Sequence, residues 1–261
     1  MLKCTGVFIE GAIMTNWKGS VQAKNAITWV VYVLAALWLA ISLSCWVYAR
    51  FDYGYGFWYD TLEIGTHIKK YAPKHPNKRY FSKLSKAQHT QAFHEIRVSV
   101  HNSGQGLAQI QYAAQGRPSE RLLDQAEVQH LEDVARLISA CWWVFWGALV
   151  IWGVLAWRLA RRELPPWRWR GAVVAAVIGI IGGFLIVVGP KKLFYIFHVW
   201  IFPAEHQWFF YWEQSLMSTL MKAPDLFGGI AAVLVGVGVP LAVLIYLFGL
   251  YVMRTLRARI V

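Results

Sequence analysis

The stretch ISACWWVFWGALVIWGVLAWRLARRELPPWRWRGAVVAAVIGIIGGFLIVVGP, residues 138–190, decides the fold. Two apolar runs flank a short link, residues 158–170, that holds Arg158, Arg161, Arg162, Arg168 and Arg170. About 20 apolar residues is the length a helix needs to cross the hydrocarbon core of a bilayer. Arginines packed into so short a connection mark the cytoplasmic side by the positive-inside rule. The stretch therefore reads as a hairpin of two membrane-spanning helices with a basic inner turn.

Two further apolar runs, at residues 27–49 and 226–253, lie outward from this hairpin. The chain has 261 residues, is 57% hydrophobic and carries 15 Trp. The expectation is an all-α integral membrane protein with four transmembrane helices, at 27–49, 138–157, 171–190 and 226–253. Residues 1–26, with Lys3, Lys18 and Lys24, and the tail 254–261, with Arg254, Arg257 and Arg259, fall on the cytoplasmic side with the link. That leaves residues 50–137 as an extracytoplasmic loop domain and residues 191–225 as an extracytoplasmic aromatic segment. The net charge of +12 favours anionic lipid headgroups, and its division between two membrane faces speaks against nucleic acid. The first span is too long for a signal-peptide core and reads as an uncleaved anchor, with Met14 a second candidate start. Cys4, Cys45 and Cys141 show no pairing spacing and no C-x-x-C, so no disulfide framework is expected.

In the loop domain, Phe51–Tyr59 reads as an interfacial aromatic anchor and 71–80 as a loop. Ser82 is placed to cap a helix running to His101, closed by Asn102-Ser103-Gly104, and 105–114 alternates weakly like a short strand. One long helix is expected from about Ser119 through the second span to Trp157, roughly 58 Å at 1.5 Å per residue. Its first half must then project from the membrane. Pro240 is expected to kink the fourth span. The run 191–212 has ten aromatics among 22 residues, broken by Pro203, and suits a re-entrant or interfacial segment.

Two histidines stand next to these spans. His130 precedes span two and His198 lies in the aromatic run after span three, so the topology brings both to one side of the membrane. Imidazole is the side chain best suited to moving protons near neutral pH. Glu127, His130 and Asp133 are spaced three apart on a helix, where a carboxylate could orient the imidazole and raise its basicity. The plain alternative is a solvated helix face. For His198 it is a snorkelling interfacial ring. A di-metal site would need a second Glu-x-x-His, which is lacking, so no metal is expected. His206 with Glu205 reads as a surface turn, and His67, His75, His89, His94 and His101 read as solvated. Cys141 lies on the His130 face, about 16 Å further along the helix, and reads as packing. There is no G-x-S-x-G elbow and no glycine-rich phosphate loop.

These features together resemble the lipoprotein intramolecular transacylase (Lit) family. The residues that carry the likeness are Glu127-Val128-Gln129-His130-Leu131-Glu132-Asp133-Val134 leading into span two and Phe197-His198-Val199-Trp200-Ile201-Phe202 after span three. Trp208 and Pro224-Asp225-Leu226-Phe227 follow in the same order. The resemblance implies a bacterial cytoplasmic-membrane enzyme that moves the sn-2 acyl chain of a diacylglyceryl-cysteine lipoprotein to the cysteine's own α-amine. It implies no cofactor, a lipoprotein or phospholipid as partner, and a two-histidine site on the extracytoplasmic side.

On this reading His130 and His198 are the acid and base, Asp133 or Glu127 orients His130, and Phe197, Trp200, Phe202 and Trp208 form the substrate-binding wall. Which histidine is the base stays open. The rival readings are acyl transfer to water or to another lipid, and a non-catalytic membrane assembly factor or lipid-binding scaffold. Haem binding is remote, since no two histidines lie within spans at ligating depth.

Overall fold

The computed structural model describes residues 5–114, 116–162 and 166–259. Cys4, Lys3 and the Glu163–Pro165 part of the basic link lie outside the described residues. In chain order the elements are α1 (Thr5–Ala49), α2 (Tyr55–Thr61), α3 (Ile64–Tyr71), α4 (Lys86–His101), β1 (Gln111–Tyr112), β2 (Glu120–Arg121), α5 (Gln125–Ala160), α6 (Trp167–Val188), α7 (Pro190–Ile201), α8 (Leu216–Met221) and α9 (Asp225–Ala258). Among the described residues, four helices are long and apolar enough to cross a membrane: Ala26–Ala49 of α1, then α5, α6 and α9. The protein is thus a helical, multi-pass membrane protein.

Several local expectations are corrected. The helix expected from Ser82 starts at Lys86, because Ser85 and Gln88 form the capping box: the Ser85 hydroxyl accepts the Gln88 N–H at 3.3 Å and Gln88 Oε1 accepts the Ser85 N–H at 3.0 Å. Ser82 instead donates to the Arg79 carbonyl. At the other end Ser103 takes a left-handed conformation and the Gly104 N–H returns to the Ser99 carbonyl at 2.9 Å, a Schellman closure. The long helix begins at Gln125, not Ser119, since Glu120–Arg121 pairs antiparallel with Gln111–Tyr112. Asp124 stands just before it, and Glu127 three residues on accepts the Asp124 N–H at 2.6 Å. Its 36 residues make it about 54 Å long. Gly189, at φ +77, supplies the backbone turn between α6 and α7 that an L side chain resists.

The chain forms two compact units. One comprises Met1–Leu39, Gly147–Val187 and Ala242–Val261. Its core is aromatic, with Trp29 against Tyr32 at 5.2 Å and Tyr32 stacked on Trp152 at 6.0 Å. Gly249 leaves the space these rings fill, since a Cβ there would lie 1.8 Å from the Tyr32 hydroxyl.

The other unit, the head, comprises Ala40–Trp146 and Val188–Leu241. Its core gathers Tyr55, Ile64, Ile68, Phe81, Leu107, Leu122, Leu216 and Leu220, all fully or almost fully buried. Tyr55 stacks flat on Phe93 at 4.1 Å and donates its hydroxyl to the Leu220 carbonyl at 2.7 Å.

Three histidines expected to be solvated are in this core: His67, His75 and His89 are buried. His89 donates Nε2–H to the Phe81 carbonyl at 3.1 Å and accepts the Tyr59 hydroxyl on Nδ1 at 2.8 Å. His67 packs between Tyr71 and Trp212, and its Nε2 has no hydrogen-bond partner among the described residues. Their absence of shared spacing hid this, because each is buried by a different element.

Burial holds all three imidazoles below their ordinary value, and His67, also beside the Lys222 ammonium, is pushed down to about 4. A depressed folded-state value means the unfolded chain binds protons first. The head should therefore lose stability as the pH falls below about 6.5, the unfolded value, with the loss growing until about 4 is passed. Thermal unfolding of the purified protein between pH 7.5 and 4 measures this, and His67→Phe should flatten the acid limb.

Candidate active site

α5 carries His130 in its second turn and α7 carries His198 in its last, both within the head. The two rings lie 6.1 Å apart between centroids with their planes 27° from parallel. Residues 68 positions apart in sequence thus present two imidazoles to one small space. Phe202 touches both rings, at 4.9 Å from His130 and 5.2 Å from His198. Phe210 closes on His130 at 5.9 Å, and Phe194 and Trp208 cover His198 at 4.0 and 5.0 Å.

Hydrogen bonding distinguishes the two. His198 Nδ1 lies 2.8 Å from the Phe194 carbonyl on its own helix. A carbonyl oxygen only accepts, so Nδ1 carries the proton and the neutral ring offers a bare Nε2. Burial holds the His198 imidazole below its ordinary value, with the Phe194 carbonyl working in the opposite direction. His130 is almost wholly buried, and its Nδ1 has no hydrogen-bond partner among the described residues. One ring has its proton position set by the fold, while the other keeps an uncommitted nitrogen. Such a pair suits accepting a proton at one point and delivering one at another.

The expected pairing of His130 with Asp133 or Glu127 is not formed. Glu127 is fully buried and turned the other way: Oε1 accepts the Ser215 hydroxyl at 2.5 Å and the Met217 N–H at 3.1 Å, while Oε2 accepts the Asp124 N–H. It fastens the start of α8 to the start of α5. Asp133 accepts from His206 Nδ1 at 2.6 Å and from Arg136. His206, expected as a surface turn, is therefore the partner of Asp133 and ties the chain after Pro203 to α5.

Of the aromatic wall, Phe202 and Trp208 are in the site and Phe197 meets His198 edge-on at 5.6 Å while half exposed. Trp200 is 84% exposed. Phe194, Phe210 and His206 belong to the site's walls and supports without having been singled out. Phe194 stands four residues before His198, a helical spacing that could have indicated it. Among the described residues no three of His, Cys, Asp and Glu gather closely enough to hold a metal ion.

A family model described as lipoprotein intramolecular transacylase Lit matches residues 26–221. No curated protein sequence matches the chain. Among solved structures, the membrane integral lipoprotein intramolecular transacylase Lit from Bacillus cereus superimposes over 95% of this chain and 99% of its own, with a TM-score of 0.61 at 14% identity, in a histidine-to-arginine variant. A histidine-to-alanine variant of the same protein gives 94%, 99% and 0.61, again at 14% identity. Another crystal form of the Bacillus cereus protein gives 91%, 99% and 0.60 at 14% identity. At that identity the structural likeness speaks to the fold.

Removing the buried Glu127 carboxylate leaves three donors without an acceptor. Glu127→Ala should lower the stability of the purified protein by about 3 kcal/mol or more, read from thermal or denaturant unfolding. Glu127→Gln, which keeps an acceptor oxygen, should cost less. Equal stability of both variants and the parent would show that this anchor is dispensable.

Proposed function

The chain belongs to the lipoprotein intramolecular transacylase family, and from that premise we propose that His130 and His198 are its catalytic pair. The protein is a membrane acyltransferase that moves the sn-2 acyl chain of a diacylglyceryl-cysteine lipoprotein to the cysteine α-amine. The observation that carries the site assignment is the 6.1 Å approach of two imidazoles held within a shell of aromatic rings.

The α-amine of the lipoprotein titrates near pH 8, so part of it is already a free nucleophile. Its attack on the sn-2 carbonyl closes a ring of about eight atoms, an event that depends on holding lipid and peptide together. A carbon–nitrogen bond forms, the ester carbon–oxygen bond breaks, the amine gives up a proton and the glycerol oxygen gains one. His198, with Nδ1–H committed to the Phe194 carbonyl, presents the bare Nε2 and is assigned as the base. The proton that His198 takes passes to the neighbouring His130 and from there to the departing glycerol oxygen, so both rings end neutral. Phe202 and Trp208 provide the apolar wall against which the acyl chain lies, and Asp133 acts through His206 to position the aromatic segment.

The head lies on the extracytoplasmic side in this reading, and the arginine-bearing helix ends face the cytoplasm, with the inner membrane as location. The arginine content of the connection between α5 and α6 supports that orientation.

His130→Ala and His198→Ala, each reconstituted with a diacyl lipopeptide, should lose N-acyl lyso product by roughly a hundredfold or more, measured by mass spectrometry. Undiminished product in both variants overturns the assignment, and free fatty acid in place of N-acyl product would make the enzyme a hydrolase. The pH dependence follows from the sign of the His198 shift. The neutral ring works, so the rate should descend twice on the acid side: near pH 8 as the amine protonates, and again below about 6.5 as His198 does. The second descent should vanish from the residual activity of His198→Ala.

A further inference from the structure

Five aromatic side chains touch the two imidazoles: Phe194, Phe197, Phe202, Phe210 and Trp208. Four of them are hydrocarbon rings with no polar hydrogen. Trp208 alone carries one, the indole N–H, and its ring centre lies 5.0 Å from that of His198 with the planes 37° apart. Tyr195 packs on Trp208 at 5.7 Å, but its ring meets neither imidazole among the described residues.

The side-chain nitrogens of this cluster fall into two groups. His198 Nδ1 is engaged by the Phe194 carbonyl, and His130 Nδ1 is sealed in the packing. His198 Nε2, His130 Nε2 and Trp208 Nε1 have no hydrogen-bond partner among the described residues, and none of them is sealed. Other indoles of the chain differ. Those of Trp58 and Trp212 donate to protein oxygens, and those of Trp29, Trp38 and Trp152 are enclosed. Trp208 Nε1 is an open donor beside His198, with space in front of it.

The transacylase reading, on which this inference rests, creates a new charge in that space. When the α-amine adds to the sn-2 carbonyl carbon, the carbonyl π electrons move onto oxygen. The oxyanion lasts until the C=O bond re-forms and the glycerol oxygen leaves. Both imidazoles are meanwhile engaged with the proton passing from amine to leaving group. An anion left against hydrocarbon rings without a donor is strongly disfavoured. A fixed N–H beside the developing charge removes that penalty, and it acts more strongly in a water-poor site than in water. An indole N–H donates and never accepts, so it can meet an oxyanion without joining the proton transfer.

We propose that the Trp208 indole N–H is the oxyanion donor of the reaction, a catalytic role beyond the apolar wall that its ring supplies.

Steady-state kinetics of N-acylation on a diacyl lipopeptide test the proposal. Trp208→Phe keeps an aromatic ring and removes the N–H. It should lower kcat about a hundredfold or more and leave KM nearly unchanged, because the bond forms only as charge develops. An indole does not titrate between about pH 6 and about pH 9, so the loss should be the same across that range and the pH profile should keep the parent's shape. Trp143→Phe, at an exposed indole of α5, should change neither value. If thermal unfolding shows that Trp208→Phe folds poorly, benzothienylalanine in place of Trp208 keeps the bicyclic shape, exchanges the N–H for sulfur, and should give the same loss of kcat. Unchanged kcat in a folded protein lacking this N–H overturns the role, and a raised KM with unchanged kcat overturns it in favour of simple lipid contact. Failure of the underlying reading looks different: the parent itself then forms no N-acyl product.

Discussion

The head is tied together by one buried carboxylate. Glu127 is satisfied by three donors, the Asp124 and Met217 N–H groups and the Ser215 hydroxyl, drawn from segments about 90 residues apart in the chain. Hydrogen bonds to an ionised acceptor are stronger than neutral ones, and leaving any of these donors buried and unmet would be costly. That single side chain both starts α5 and seats α8. Since Trp212 donates its indole N–H to the Ala223 carbonyl just beyond α8, the far end of the aromatic segment is fixed with it.

Glu127, His130 and Asp133 then take on a division of labour along one helical stripe. The two carboxylates hold the chain after Pro203 at two points, Asp133 through His206 and Glu127 through Ser215, and the imidazole between them faces the rings. A helix places residues three apart side by side, so the stripe is a consequence of geometry alone. What the carboxylates grip is decided by tertiary folding. The aromatic shell also explains why the His198 imidazole is held below its ordinary value: a ring pressed against Phe202 has little to solvate a positive charge.

The legible part of the sequence was the part written in local pattern. Four apolar runs foretold four spanning helices, because hydrocarbon thickness sets a length that composition can be checked against. The approach of His130 and His198 could be inferred from topology, since both adjoin span ends on one side. The partners of Glu127 and Asp133 could not. Ser215 is 88 residues from Glu127 and His206 is 73 from Asp133, and no spacing rule connects such positions. The start of α5 was misjudged for a related reason. Ser119 and Pro118 look like a helix entrance, yet the strand pairing of Glu120–Arg121 with Gln111–Tyr112 claims those residues first. The buried histidines of the head were illegible because imidazole is equally at home wet or dry.

α7 has two faces with different neighbours. Phe194 and His198 look inward to the ring cluster, whereas Val199 and Trp200 are exposed at 63% and 84%. An apolar outer face on a multi-pass membrane protein is one that lipid can cover more cheaply than water. The same rigid rod fixes where His198 stands. What covers the outer face of α7 therefore bears on the position of that imidazole.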